Sequence, residues 1–136
     1  MPLIAALGAA AKRANQSRAE VWTHFERLYH YLVDRLVQLP GVSLHLAEGQ
    51  APYIVNFSVP GIRSEIMLHH LEQLGIYVSS GSACSKGARS SVLAALGLPN
   101  SQIDSAIRVS MSGQTTLSEL DRLLQGVRQG IDTLTR

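Results

Sequence analysis

Cysteine is nearly missing from this chain: Cys84 is the only one in 136 residues. A lone thiol excludes an internal disulfide and an all-cysteine metal centre, so it is either a small buried hydrophobe or a working group. A reducing cytoplasm suits it best. Lysine is almost as scarce, with only Lys12 and Lys86. Net charge is +2 and no run of like charge exists to steer nucleic acid or an anionic membrane, so neither is an expected partner. No stretch approaches transmembrane length. The short apolar run at Leu3–Gly8 precedes basic residues, which reverses the order of a secretory signal.

What is present suffices for one domain, residues 1–136, since 46% of the residues are hydrophobic. From Leu3 to Leu39 only Gly8 interrupts a stretch free of glycine and proline. Apolar residues recur there at helical spacing, through Leu3, Leu7, Ala10 and Ala14 and then Val21, Phe25, Leu28, Leu32 and Leu36. The pattern predicts one long helix, bent near Asn15 and stopped by Pro40-Gly41. It opens without a capping residue, because Met1 and Pro2 run straight into Leu3, and this suggests a chain that begins mid-protein.

Val42–Leu46 alternates apolar and polar residues, and Tyr53–Val59 is rich in β-formers, so two neighbouring strands are expected. Ser64 is the expected cap of a middle helix that fills Ile66–Leu74 and ends at Gly75. Ile76–Ser80 reads as a third short strand. Ser91–Leu96 reads as a short helix closed by Gly97, with Pro99 and Asn100 in a turn. Ser105–Ser112 alternates again, with Ile107, Val109 and Met111 on one face and Arg108 and Ser110 on the other. Thr116-Leu117-Ser118-Glu119 has the form of a capping box for a last helix. Leu117, Leu120, Leu124, Val127, Ile131 and Leu134 form its buried stripe. The expected fold is a two-layer α/β sandwich: a small, mostly antiparallel sheet of three to four strands packed by a long N-terminal, a middle and a C-terminal helix.

Between the third strand and the short helix lies Gly81-Ser82-Ala83-Cys84-Ser85-Lys86-Gly87. These small and polar residues cannot supply a core and belong at the surface. A thiol there is accessible and able to move, as a nucleophile or sulfur carrier must be. The histidines offer less. His69 and His70 are adjacent on a helix and project about a hundred degrees apart, and His24, His30 and His45 lack companions at ligand spacing, so no metal site is expected. Trp22, Tyr29 and Tyr31 read as packing residues.

Ile76 to Ser85, with Ser-Gly-Ser-Ala-Cys at its centre, resembles the active-site cysteine segment of NifS/IscS-type cysteine desulfurases in the class V aminotransferase group. The resemblance continues through Ser91–Leu98 and Ala106-Ile107-Arg108-Val109-Ser110. It reaches back through the Tyr53–Phe57 strand to Leu3–Gly8, which resembles the start of the helix by which that family leaves its large domain. It implies that Cys84 is the nucleophile that takes sulfur from L-cysteine held on pyridoxal 5'-phosphate, leaving alanine and an enzyme persulfide. It implies that Arg108 pairs with the substrate α-carboxylate, a task suited to a bidentate planar donor. A sulfur-acceptor or Fe-S scaffold protein is the implied partner, and apolar surface left by the missing large domain, along the Trp22 side of the long helix or beside the cysteine loop, is expected to be covered by self-association as a homodimer.

In the family the cofactor is held by a lysine, a histidine and phosphate contacts upstream of the segment represented here. Lys12 and Lys86 match no cofactor lysine, so this chain alone is expected to bind no pyridoxal phosphate and to be inactive, the cofactor-binding large domain being absent. The other readings are a stand-alone persulfide carrier or protein-interaction module and a degenerate domain of packing value only. After Ser110 the chain departs from its relatives, reading Met111-Ser112-Gly113-Gln114 where another basic residue is common.

Overall fold

The computed structural model describes residues 1–80 and 90–134; Cys84 and Lys86 lie outside the described residues. The element order is α1 (Pro2–Leu36), β1 (Ser43–His45), β2 (Ile54–Ser58), α2 (Ser64–Gln73), α3 (Ser91–Ala95), α4 (Asn100–Ile103), β3 (Ala106–Ser110) and α5 (Leu117–Leu134). The three strands form one antiparallel sheet in the order β1-β2-β3. Val55 and Phe57 of β2, with Ile107 and Val109 of β3, turn to one face and are buried beneath α1, α2 and α5. The expected two-layer α/β architecture is the observed one.

Five differences from the sequence expectation have physical causes. The first concerns α1, which is a single helix of 35 residues with only Leu28, Leu32 and Leu36 buried. Residues 1–16 are exposed throughout, with Leu3 at 85% and Leu7 at 71%. At 1.5 Å per residue the helix is about 50 Å long, while strands of five residues or fewer cover only a third of that, so its first half runs past the core. The Leu3-Leu7-Ala10-Ala14 stripe therefore lies exposed and packs on none of the described residues.

Second, Ser64 is the first helical residue of α2, and Arg63 occupies the cap position without a side-chain bond. The free N–H of Ser64 is satisfied by the Asp104 carbonyl at 2.9 Å instead. Third, the Ile76–Ser80 strand contracts to one antiparallel bridge, Ser79 to Arg108. Ile76 closes the C-terminal cap of α2: its N–H reaches the Leu71 carbonyl and that of Gly75 reaches Glu72, both at 2.9 Å. Gly75 sits at φ +73°, where a Cβ is strained. Fourth, Asn100 opens the extra short helix α4, which Pro99 precedes as cap. Leu93, Ile103 and Ala106 form a small satellite core with Leu98, tying α3 and α4 to the edge of the sheet.

The Thr116 capping box is observed as expected. Glu119 accepts the Thr116 N–H at 2.8 Å, and Thr116 accepts the Glu119 N–H at 3.3 Å. The Thr116 N–H, together with the Thr116 hydroxyl, which donates to the same carboxylate at 2.9 Å, holds the Glu119 carboxyl below its ordinary range.

The fifth difference is on α5, whose buried stripe includes Gly126 and Gly130, and these allow α2 to approach closely. A Cβ at Gly126 would lie 2.8 Å from Leu71 Cδ2 and 3.1 Å from Ile76 Cδ1. At Gly130 it would meet Met67 Sδ at 2.7 Å. Alanine gains about 1 kcal/mol in helix propensity at either site, against overpacking of about 1–3 kcal/mol. Leu71 is branched and fully buried, whereas Met67 has an adaptable thioether. Chemical denaturation should therefore find Gly126→Ala destabilised by about 1 kcal/mol or more and Gly130→Ala close to the parent. Equal stabilisation by both would show that α2 and α5 are not in tight contact.

Candidate active site on the outer sheet face

The side chains that alternate with the core residues point to the opposite face. Register places His45 of β1 opposite Asn56 of β2, Asn56 opposite Arg108 of β3, and Arg108 opposite Ser79. These four residues therefore form one row across the sheet, all on the face away from the core.

Ser79 and Arg108 are joined by two backbone bonds. The Arg108 N–H donates to the Ser79 carbonyl at 2.6 Å and the Ser79 N–H donates to the Arg108 carbonyl at 3.1 Å. The Ser79 hydroxyl adds a long contact to the same carbonyl at 3.5 Å. Because both backbone groups of Arg108 turn toward Ser79, its pairing with Asn56 on the other side is the non-hydrogen-bonded kind, in which side chains lie closest. The Arg108 guanidinium is exposed, and no hydrogen bond or ion pair joins it to another described residue. Its neighbour is the reverse: Asn56 Oδ1 is buried and has no hydrogen-bond partner.

At the β1 end the row is closed by a short relay. The Ser58 hydroxyl donates to the Gln102 carbonyl at 2.6 Å, so the His45 Nε2 contact to Ser58 Oγ at 2.5 Å has His45 as donor. Burial pushes His45 below its ordinary pKa of 6.5. Burial thus disfavours the charged ring, and the Nε2 proton is the one given to Ser58.

The cysteine segment is fixed at both ends. Ser79 anchors the upstream end to β3. Downstream, Ser90 caps α3, its side chain accepting the Leu93 N–H at 3.4 Å. Cys84 stands five positions after Ser79 and lies outside the described residues. Arg108, its companion in the sequence reading, is thus placed on the strand to which the start of that segment is hydrogen-bonded.

Other residues singled out in the sequence separate from this row. His70 bonds the Gly126 carbonyl at 3.0 Å and His24 the Thr115 carbonyl at 2.9 Å, while His69 faces Glu72 at 3.4 Å. Among the described residues no group of three His, Cys, Asp or Glu can hold a metal. Tyr31 donates to Asp121 at 2.5 Å, which raises its pKa, and stacks under the Arg35 guanidinium. Trp22 is 46% exposed on α1. Lys12 stands in the exposed first half of α1, with no surrounding walls to cradle an aromatic cofactor. No described residue fits a pyridoxal phosphate anchor.

Asn56 was not a sequence candidate. The signal was available, since an amide between Val55 and Phe57 is out of place in a strand of β-formers.

Residues 1–123 match the family described as Aminotransferase class-V. The chain is 32% identical over 140 aligned residues to the mitochondrial cysteine desulfurase of Candida albicans, covering 99% of this chain and 28% of that protein. It is 31% identical over 134 residues to cysteine desulfurase IscS of Vibrio cholerae, covering 96% and 33%. Among solved structures a NifS-like protein superposes with a TM-score of 0.79 at 28% identity, over 91% of this chain and 32% of that one. The chain thus spans about a third of the length of the relatives it matches. No helix among the described residues is long and apolar enough to cross a membrane.

The depressed His45 pKa carries a prediction of sign. The unfolded chain binds a proton at His45 more readily than the folded one, so stability is fully present above pH 6.5 and falls as pH drops through that value. Urea midpoints measured between about pH 5 and about pH 8 should show this loss, and His45→Gln should remove part of it. Identical pH profiles for parent and variant would refute the assignment.

Proposed function

The chain belongs to the class-V aminotransferase family, and from that premise we propose that it supplies the C-terminal small domain of a NifS/IscS-type cysteine desulfurase. In this reading Cys84 is the nucleophile that accepts sulfur from L-cysteine as a persulfide. Arg108 pairs with the substrate α-carboxylate. The observation that carries the proposal is the Ser79–Arg108 bridge, which binds the start of the cysteine segment to the strand bearing the carboxylate-binding arginine.

The division of labour follows from chain geometry. Five residues of fully extended polypeptide span about 17 Å at most, so a thiol five positions from Ser79 has a bounded reach around Arg108. A substrate carboxylate held by Arg108 is fixed in position, while a cysteine on a glycine- and serine-rich tether can leave that position and carry sulfur to an acceptor. The net transfer breaks the carbon–sulfur bond of L-cysteine, leaves alanine, and forms a sulfur–sulfur bond at Cys84. The acceptor is a sulfur-receiving or Fe-S scaffold protein, and the compartment is a reducing one such as the cytoplasm.

Pyridoxal phosphate belongs to the family's full-length enzymes, and its anchor is not among the described residues here. We therefore assign to this chain the sulfur-accepting and carboxylate-binding groups, and not the cofactor chemistry. The exposed apolar residues of α1, Leu3, Leu7 and Trp22 among them, support a surface covered in the assembled protein by self-association as a homodimer or by the rest of the enzyme.

One assay separates competence from partial competence. Purified chain mixed with pyridoxal phosphate and L-cysteine should yield no alanine above the uncatalysed background. Stoichiometric or catalytic alanine would show that a complete cofactor site is present, contradicting this assignment. Where the chain is joined to a cofactor-bearing desulfurase large domain, Cys84→Ser should abolish persulfide formation. Arg108→Lys should mainly raise KM, by about tenfold, because the bidentate fork is lost.

A further inference from the structure

We infer that Asn56 is the positioning residue for Arg108: its Oδ1 accepts one guanidinium N–H and so aims the rest of the fork at the substrate carboxylate. This rests on the carboxylate-binding reading of Arg108 given above. Three observations lead to it. Asn56 Oδ1 is buried without a hydrogen-bond partner. The residue directly opposite is Arg108, whose guanidinium has no bond to another described residue. The pair is of the narrow, non-hydrogen-bonded type, because the Arg108 backbone groups are taken by Ser79, and this brings the two side chains closer than any other pairing in a sheet.

A buried amide oxygen without a donor is unfavourable, and a protein has no structural reason to keep one in a strand where valine or threonine would pack better. The donor inventory shows what could satisfy it. Arginine carries five N–H groups in a planar fork; a bidentate carboxylate takes two, so one more can go to Asn56 with no competition. The neutral amide is essential to this role. An acidic side chain at the same place would neutralise the guanidinium and repel the substrate carboxylate. His45, on the other side of Asn56, is already committed to Ser58 and does not compete for Oδ1.

The test uses the 15N-labelled 136-residue chain and follows the Arg108 side-chain N–H signals by NMR, with L-alanine as carboxylate probe and L-alaninamide as control. In the parent, L-alanine but not the amide should shift these signals and slow rotation of the guanidinium. Asn56→Ala should weaken the L-alanine response about fivefold with little change in melting temperature, because the contact it removes is to an exposed guanidinium. Asn56→Val, which suits a strand, provides the same readout if the alanine variant folds poorly. Asn56→Asp should slow the guanidinium even without probe, while weakening L-alanine binding. Guanidinium motion that is the same in the parent, Ala and Asp variants would overturn the inference, as would a large loss of melting temperature in both Ala and Val variants with the L-alanine response intact. If L-alanine shifts nothing in the parent, Asn56→Asp still decides: a slowed guanidinium upholds the Asn56–Arg108 contact and sinks the carboxylate reading, and an unchanged one sinks both.

Discussion

A two-residue backbone bridge, Ser79 with Arg108, organises the functional end of this domain. It consumes both backbone groups of Arg108, and the outer edge of β3 is thereby pinned at one point. From that single commitment two others follow. The chain that leaves Ser79 toward Cys84 starts from a fixed post. The pairing of Arg108 with Asn56 must be the narrow kind, in which the two side chains lie closest. Among the described residues the flanks of the cysteine segment are anchored at Ser79, by this bridge, and at Ser90, by the cap of α3.

Behind that face the domain is conventional in its energetics. Apolar residues of β2 and β3 are buried beneath three helices, and the close approach of α2 to α5 at Gly126 and Gly130 brings the Ile76 junction onto the same core. This coupling matters for the site, because Ile76 is three residues before Ser79. Packing at the α2 cap thus sets where the bridge to Arg108 can form. The outward face, by contrast, holds polar groups only partly satisfied, as expected where a structure gives up stability for chemistry.

Much of this was legible in the sequence wherever a local rule acted alone. The alternation around Ile107, Arg108 and Val109 placed the arginine opposite the core, and the Thr116–Glu119 capping box formed as read. The failures came from long-range effects. Helical periodicity cannot tell a stripe that meets a core from one that runs beyond it, so Leu3 and Leu7 looked like Leu28 and Leu32. The Ile76–Ser80 run has strand composition, but closing the α2 cap engages the N–H of Ile76. Asn56 escaped notice because its importance lies in the residue across the sheet, which no local pattern reveals. Family resemblance to the class-V aminotransferases, read from the cysteine segment and the Ile-Arg-Val-Ser strand, agreed with the comparisons.

The central claim is that Cys84 accepts sulfur, and transfer from a small persulfide tests it most directly. When the chain is incubated with glutathione persulfide, the terminal sulfur should pass to the Cys84 thiolate with release of glutathione, and intact mass spectrometry should show one added sulfur atom. The gain should vanish in Cys84→Ser. A chain that takes up no sulfur, or a Cys84→Ser variant that gains as much, would contradict the account.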